Sequence, residues 1–160
     1  MTVTLVYGTE SGTTEKIARW IATPLSARLV SVDRATPADF EGCDLLVLGA
    51  PTYGFGDLSA DWEKGIAHLR EANLNGRTVA LFGTGDQVSY ADSFVDAMGT
   101  LYDEVTARGA RVVGATPTEG YDFVASRAVR EGQFVGLALD QDNQAKQTES
   151  RIARWLEGLR

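Results

Sequence analysis

Short apolar runs alternate with amphipathic helical patterns along the chain, and this alternation limits the possible folds more than any other feature. Nearly continuous apolar runs occupy residues 3–7, 45–50 and 79–82, and weaker strand candidates lie at 28–31 and 111–113. Runs of this length suit strands that are buried on both faces of a parallel sheet. Helices between such strands require right-handed crossovers. The pattern therefore predicts an α/β fold with a doubly wound, five-stranded parallel sheet and helices on both faces.

Four stripes of apolar residues at helical spacing predict the helices. They are Ile17, Ile21 and Leu25; Trp62, Ile66 and Leu69; Phe94, Met98, Leu101 and Val105; and Ile152, Trp155, Leu156 and Leu159. We interpret each stripe as core packing. Pro24 is expected to end or kink the first helix, because proline lacks the backbone N–H that a helix interior needs.

One stretch does not fit this alternation of strand and helix patterns. Residues 114–147 separate the last strand candidate from the C-terminal helix, although a minimal five-stranded unit does not need them, and residues 134–139 within them are again strand-like. We therefore expect the last strand to be interrupted by an inserted loop. The length of 160 residues suits a single domain over residues 1–160.

Charge and composition exclude several classes of protein. The net charge of −7 disfavours nucleic-acid binding, which needs clustered cations, and suits a partner with a basic docking surface. No apolar stretch is long enough to span a membrane, and the first residues lack the basic region and cleavage site of a signal peptide. The single cysteine, Cys43, fits a reducing compartment, so a cytoplasmic location is expected.

Ligands of open α/β sheets bind beyond the carboxyl ends of the strands. After the first strand candidate lies a hydroxyl-rich turn that leads into a helix, with Thr9, Glu10, Ser11, Gly12, Thr13 and Thr14. A helix N-terminus with hydroxyl groups is suited to a terminal phosphate. The pattern of a nucleotide triphosphatase is absent, since no lysine follows Gly12. Plain helix capping by serine and threonine is the alternative for this segment.

The turns after the next two buried strands carry aromatic residues. One contains Pro51, Thr52, Tyr53, Gly54, Phe55 and Gly56, and the other contains Thr84, Gly85, Asp86, Tyr90 and Asp92. Aromatic side chains on rigid loops can stack on a planar ring. The alternative for the first turn is that its aromatic residues fold into the core. A phosphate cradle and two aromatic platforms at one sheet edge point together to a phosphorylated ligand with a flat ring.

These motifs resemble the flavodoxin family, and the resemblance covers essentially the whole chain. Residues 9–14 match the family's T-x-[ST]-G-x-T phosphate loop, residues 50–53 resemble the loop whose aromatic residue stacks on the inner flavin face, and residues 83–92 match the loop whose tyrosine stacks on the outer face. Residues 118–121 and 136–144 are similar to the insertion of the long-chain subgroup. Tyr53 stands where many members carry tryptophan.

The resemblance implies a strand order of 2-1-3-4-5 and a non-covalently bound FMN. It implies a low-potential, one-electron carrier that shuttles between semiquinone and hydroquinone and delivers electrons to a redox enzyme, rather than an enzyme with catalytic residues. The peptide between Gly54 and Phe55 is expected beside the flavin N5, and Asp142 near the ribityl chain. Carboxylates around the ring are expected to oppose its second reduction: Asp57, Asp61, Glu63, Asp86 and Asp92.

Two other classes share this topology. An FMN-dependent quinone or nitro reductase would need a second substrate site, and a signalling receiver domain would need clustered aspartates after the first strand. His68 is expected at the surface and Cys43 in the core, so neither supports nucleophilic catalysis. No metal site is expected. The sequence leaves the electron donor and acceptor open, and a monomer is expected.

Overall fold

A central sheet organises the computed structural model, which describes residues 1–159. The strands are β1 (Val3–Tyr7), β2 (Arg28–Ser31), β3 (Leu45–Tyr53), β4 (Asp57–Leu58), β5 (Thr78–Thr84), β6 (Arg111–Val113), β7 (Thr116–Pro117), β8 (Val129–Arg130), β9 (Gln133–Phe134) and β10 (Leu137–Leu139). The helices are α1 (Thr13–Leu25), α2 (Pro37–Glu41), α3 (Ala60–Glu71), α4 (Asp96–Ala107) and α5 (Gln141–Leu159).

The parallel strands lie in the order β2-β1-β3-β5, followed by a fifth position that β6 and β10 share. This confirms the predicted order of the five main strands. β6 pairs with the first half of β5 and β10 with its second half, so that Val113 lies opposite Ala80 and Leu137 opposite Phe82. The last strand is thus interrupted, as the sequence predicted.

Between the two halves of the fifth strand the chain makes an excursion, residues 114–136. It carries a small antiparallel sheet in the order β7-β9-β8. The sequence placed the end of this stretch near residue 147, and that boundary was wrong, because α5 already begins at Gln141. The first turns of α5 are polar, so apolar periodicity does not detect them.

Alternate side chains of the buried strands belong to two hydrophobic clusters, one on each face of the sheet. Val6, Leu46 and Leu48 pack with α2, α3 and α4, whereas Leu5 and Val47 pack with α1 and α5. The two faces follow from the period of two in a strand. Each fully buried aliphatic side chain contributes about 1.5–3 kcal/mol relative to exposure, and burial on both faces explains the continuous apolar runs.

Local signals account for where the helices begin and end. α1 continues through Pro24 to Leu25, so the proline lies inside its last turn, and the helix ends at Ser26, which has a left-handed conformation and donates its N–H to the carbonyl oxygens of Ala22 and Thr23. The short helix α2 was not predicted, because five residues are too few to show a periodicity. Its signal is a capping box, in which the N–H of Thr36 donates to Asp39 with Pro37 at the first helical position.

The excursion packs directly on α4. A Cβ at Gly99 would lie 2.5 Å from the carbonyl oxygen of Arg127, so only glycine admits this approach. Phe134 of the excursion makes an edge-on contact with Phe94, with ring centroids 5.9 Å apart. Burial raises the pKa of Tyr121, which belongs to the same aromatic group, to about 12. Within residues 1–159, no helix has the length and apolar character needed to cross a membrane.

Candidate functional site

A cleft of about 260 Å³ opens at the carboxyl edge of the sheet, where β1, β3, β5 and β10 end. The lining residues come from four segments: Ser11, Thr13, Thr14, Pro51, Thr52, Tyr53, Gly54, Thr84, Gly85, Asp86, Tyr90, Gln141 and Asp142. The structure thus brings together the three loops that the sequence singled out, and adds the start of α5. The volume lies just below the usual range of about 300–1,000 Å³ for ligand pockets, so a bound cofactor would remain partly exposed.

The N-terminus of α1 forms one end of the cleft. No side chain caps this helix, and its first helical bond runs from the N–H of Lys16 to the carbonyl oxygen of Gly12. The N–H groups of residues 13–15 therefore have no acceptor within the helix. Gly12 has φ +91° with no heavy atom within 4 Å of a Cβ position, so the backbone conformation, not crowding, requires glycine there. Together with the hydroxyl groups of Ser11 and Thr13, this turn can bind an anion.

Thr9 and Glu10 do not line the cleft but hold the loop in shape. The hydroxyl oxygen of Thr9 accepts from the N–H of Gly12 at 2.9 Å, and the N–H of Thr9 donates to Asp61 at 2.8 Å. The carboxylate of Glu10 accepts from the N–H of Ala60 at the start of α3, at 3.2 Å. Asp61 therefore joins the first loop to α3, a connection that sequence spacing could not reveal.

The loop of residues 52–56 separates its two aromatic side chains. Tyr53 lines the cleft, whereas Phe55 points to solvent with 91% of its surface exposed. The alternative of two aromatic residues folded into the core does not hold for either side chain, since Tyr53 is only half-buried. Gly56 is buried and lies away from the cleft lining.

The third loop contributes a second ring and a carboxylate. Tyr90 and Asp86 line the cleft, with Tyr90 47% exposed, but Asp92 is exposed outside it. Gln141 also lines the cleft and was not predicted. It lies two residues after the end of β10, so the rule that ligands bind beyond strand ends would have found it had it been applied to β10 as the end of the fifth strand.

A buried polar network fixes the third loop against α5. Asp140 has no exposed surface, and its carboxylate accepts four N–H groups: the backbone and side-chain amides of Gln87 at 3.0 and 2.7 Å, and those of Asn143 at 3.0 and 2.9 Å. The side-chain amide of Asn143 also donates to Asp86 at 2.7 Å. Bonds of this kind to an ionised carboxylate are the stronger class of hydrogen bond.

The electrostatics of the cleft are negative. Asp86 and Asp142 are the charged residues in its described lining, and no lysine or arginine stands among them. Partial burial acts to raise the pKa of Asp86, but hydrogen bonds from Ser89, Asn143 and Val88 outweigh it and lower the pKa below its usual value. Desolvation, together with the charges of Asp86 and Asp140, raises the pKa of Asp142.

Elsewhere in residues 1–159, the other candidate sites have fewer of the features expected of a binding or catalytic site. A cavity of about 650 Å³ lies between the excursion and α5, lined by Tyr121, Arg151 and Trp155 among others, but it is away from the carboxyl edge of the sheet. No group of three or more histidine, cysteine, aspartate or glutamate side chains within residues 1–159 is arranged to hold a metal ion. His68 is exposed and Cys43 is buried.

Comparison with known proteins gives a consistent result. The family model for flavodoxins matches residues 5–155. A flavodoxin of Klebsiella pneumoniae is 46% identical, with 98% of this chain and 95% of the relative covered, and one of Synechocystis sp. is 44% identical, with 98% and 94% covered. The solved structure of Fusobacterium nucleatum flavodoxin bound to flavin mononucleotide superposes with a TM-score of 0.93 at 33% identity, covering 99% of this chain and 96% of that one.

The match extends over the sheet, the interrupted fifth strand and the loops at its carboxyl edge, and it is well above the identity at which a family is shared. This chain belongs to the flavodoxin family.

Proposed function

We propose that this chain binds one FMN non-covalently in the cleft at the carboxyl edge of the sheet and carries single electrons between larger redox proteins. The observation that carries the proposal is the convergence, in one cleft, of an uncapped helix N-terminus and two tyrosines from separate loops. A phosphate and a flat ring, the two ends of FMN, match these two parts. The FMN-bound structure of the Fusobacterium nucleatum relative supports the same assignment.

The N-terminus of α1 is suited to the phosphate group. Its backbone N–H groups, the hydroxyl groups of Ser11 and Thr13, and the positive end of the helix dipole all favour an anion. Thr14 is buried, and its hydroxyl group lies 3.0 Å from that of Thr84, which ties this turn to the end of β5. A dianion bound here without a lysine or arginine keeps most of its negative charge, and this matters for the ring.

Tyr53 and Tyr90 are suited to the two faces of the ring. An aromatic pair contributes about 0.5–1.5 kcal/mol beyond the area that it buries, and each tyrosine is carried by a loop that is hydrogen-bonded to the rest of the fold. The cleft is shallow, so one edge of the ring stays open for electron transfer to a partner. Gln141 and Asp142 at the start of α5 complete the side of the cleft between phosphate and ring.

FMN supplies the one-electron chemistry, and the protein sets its potential. Asp86 and Asp142 place negative charge beside the site, and these charges oppose any gain of negative charge by the cofactor. At about 10 Å and an effective dielectric constant near 20, one such charge costs on the order of 1–2 kcal/mol. The protein is therefore a low-potential carrier.

The surface around the cleft suits a basic partner. The chain has a net charge of −7, and exposed apolar side chains of Phe55 and Val88 lie on the two loops that carry Tyr53 and Tyr90. An apolar contact area within an acidic surface favours fast, oriented, transient association with a protein that presents lysine and arginine. We propose a monomeric carrier in the cytoplasm, with a reductase as donor and an electron-accepting enzyme as acceptor.

FMN titration of the purified apo-protein tests the binding site. We expect one FMN per chain, with its fluorescence quenched on binding. Removing two hydroxyl groups, in Ser11→Ala with Thr13→Ala, should weaken binding about tenfold or more, because each is expected to donate to a charged phosphate. Thr23→Ala is the matched control, since that hydroxyl group donates within α1 at its far end. A chain that takes up no FMN would overturn the proposal.

Anaerobic redox titration and an NADPH oxidation assay test the carrier function. A carrier takes up two electrons in separate steps and oxidises NADPH only when a separate reductase is present. An FMN-dependent reductase would oxidise NADPH alone when a quinone or nitro compound is supplied. Steady turnover by the isolated protein would therefore favour the enzyme instead.

A further inference from the structure

The loop of residues 52–56 approaches the first turn of α4 at both ends, by a hydrogen bond at one end and by close packing at the other. The hydroxyl oxygen of Thr52 accepts from the N–H of Ala97 at 3.0 Å. At the other end Gly56 has φ +103°, and a Cβ there would lie 2.6 Å from Oδ2 of Asp96. Between these ends Gly54 and Phe55 are exposed. The middle of the loop, beside the proposed flavin site, therefore depends on two neighbouring residues of one helix.

The carboxylate of Asp96 also contacts the excursion. Its Oδ1 accepts from the N–H of Arg127 at 2.7 Å, and its Oδ2 lies 3.7 Å from Nε of the same residue. Nearby, the hydroxyl group of Ser126 donates to the carbonyl oxygen of Phe94. Asp96 is 3% exposed, so this carboxylate lies between Gly56 on one side and the excursion on the other.

The residue before Asp96 has a backbone conformation that is rare for its type. Val95 has φ 49° and ψ 31°, a left-handed conformation that disfavours a β-branched side chain, and it is fully buried. Its side chain packs against the end of β5, where a Cβ at Gly85 would lie 3.2 Å from Cγ1 of Val95. Such strain persists only where the surroundings fix it, and it concentrates at functional sites. The turn at Val95 directs Asp96 toward Gly56.

We propose that Asp96 is a positioning residue, whose carboxylate holds the end of the 52–56 loop against α4 and the excursion and so sets the loop's conformation beside the cofactor. The inference rests on the proposed FMN site. The excursion thereby acts on the redox chemistry through one side chain, without touching the cleft. The role depends on the shape and hydrogen bonding of the side chain, because the carboxylate of Asp96 accepts a hydrogen bond from the N–H of Arg127 and occupies the space beside Gly56.

Four variants separate this role from general stability. Asp96→Ala removes the contacts with Gly56 and with Arg127. Asp96→Asn keeps the shape of the side chain and an oxygen that can accept a hydrogen bond. Asp103→Ala is the matched control. Asp103 lies on the same helix and pairs with Arg130 of the excursion at 3.0 Å, but it does not contact the 52–56 loop. Thr52→Val, which removes the acceptor for Ala97, provides a second way to loosen the loop if Asp96→Ala does not fold.

Amide hydrogen exchange of the apo-protein is the first measurement. In Asp96→Ala the amides of Gly56, bonded to Tyr53, and of Arg127 should exchange about tenfold faster than in the wild type, with amides of β1 unchanged. Asp96→Asn should restore slow exchange, and Asp103→Ala should leave Gly56 unaffected. Equal exchange at Gly56 in Asp96→Ala and wild type would refute the positioning role, whether or not FMN binds.

The second measurement uses the FMN-loaded variants at equal occupancy. Asp96→Ala and Thr52→Val should both lower the fraction of one-electron-reduced protein at half-reduction, while Asp96→Asn and Asp103→Ala stay close to the wild type. If Asp103→Ala lowers this fraction as much as Asp96→Ala, the effect comes from a loosened excursion and the proposal fails. If the wild type takes up no FMN, the proposed function fails, and the exchange data alone decide the loop's dependence on Asp96.

Discussion

Neutralising one carboxylate of the cleft, by Asp142→Asn, should raise the more negative midpoint potential of the bound FMN by a few tens of millivolts. Asp142 lines the cleft at the start of α5, and no lysine or arginine in the described lining offsets its charge. The second electron adds negative charge to a site that already holds a phosphate and two carboxylates. Removing one of these charges makes that addition less unfavourable.

The size of the effect follows from Coulomb's law. One unit charge at about 10 Å and an effective dielectric constant near 20 contributes roughly 1.7 kcal/mol, which corresponds to about 70 mV for one electron. Asp142 is exposed, so salt and solvent reduce this to about 20–40 mV. The shift should shrink further when the salt concentration is raised.

Its pH dependence identifies the group responsible. Desolvation and the charges of Asp86 and Asp140 raise the pKa of Asp142, whereas hydrogen bonds lower that of Asp86. As pH falls, Asp142 is therefore protonated before Asp86. The difference in potential between wild type and Asp142→Asn should vanish as pH falls through the raised pKa, while the difference produced by Asp86→Asn persists to lower pH.

Spectroelectrochemistry under anaerobic conditions measures both potentials, and Glu157→Gln is the matched control. Glu157 lies near the far end of the same helix, and the part of it from Ala145 to Glu157, after a kink at Gln144, spans about 18 Å at 1.5 Å per residue, which is beyond the screening length of about 10 Å. If Glu157→Gln shifts the lower potential as much as Asp142→Asn, the local electrostatic argument is wrong. A shift of the lower potential to more negative values would contradict it as well.

Three further variants probe the backbone and the buried network. Gly12→Ala should destabilise the native state by about 1 kcal/mol in urea denaturation and weaken FMN binding, because φ +91° strains any residue with a Cβ; unchanged stability would contradict this. Asp140→Ala should lower the free energy of unfolding by about 3–5 kcal/mol in the same assay, because it leaves the buried amides of Gln87 and Asn143 without an acceptor. A loss of unfolding free energy no larger than that of an exposed substitution would refute the network's role. Gly54→Val should lower the fraction of one-electron-reduced protein in a redox titration, because φ +53° and the position beside the flavin both disfavour a branched side chain; an equal fraction would sink this argument.

The sheet could be predicted from the sequence because its signal is local. β1 has the predicted bounds, because a strand buried on both faces is nearly continuous in apolar residues. β2 and β6 also have the predicted bounds, although each begins with an exposed arginine and has at most one buried residue. The three loops of the cleft were found from strand ends as well, because the ends of parallel strands meet at one edge. Gln141 was missed although residues 134–139 were recognised as strand-like, because the rule for ligand sites was applied only to the three strongest strand candidates.

Contacts between distant segments could not be predicted. The hydrogen bonds of Thr9 to Asp61 and of Asp96 to Arg127 join residues that no local pattern relates. The opposite orientations of Tyr53 and Phe55 depend on the fold of a five-residue loop, and both residues have the same apolar character in the sequence.

The excursion interrupts the fifth strand without changing its register. Val113 and Leu137 lie opposite Ala80 and Phe82, so a single residue opposite Leu81 would join the two halves without a change of register. Gly136 lies close to Leu81, since a Cβ on it would be 2.1 Å from the carbonyl oxygen of Leu81. The strand register would therefore survive an exchange of residues 114–135 for another segment, although Ala128, Phe134 and Val135 of the present one are buried in the core. Such an exchange would replace Arg127, which donates to Asp96. Through Asp96 it would change the conformation of the 52–56 loop beside the cleft, although the segment contributes no residue to the cleft lining.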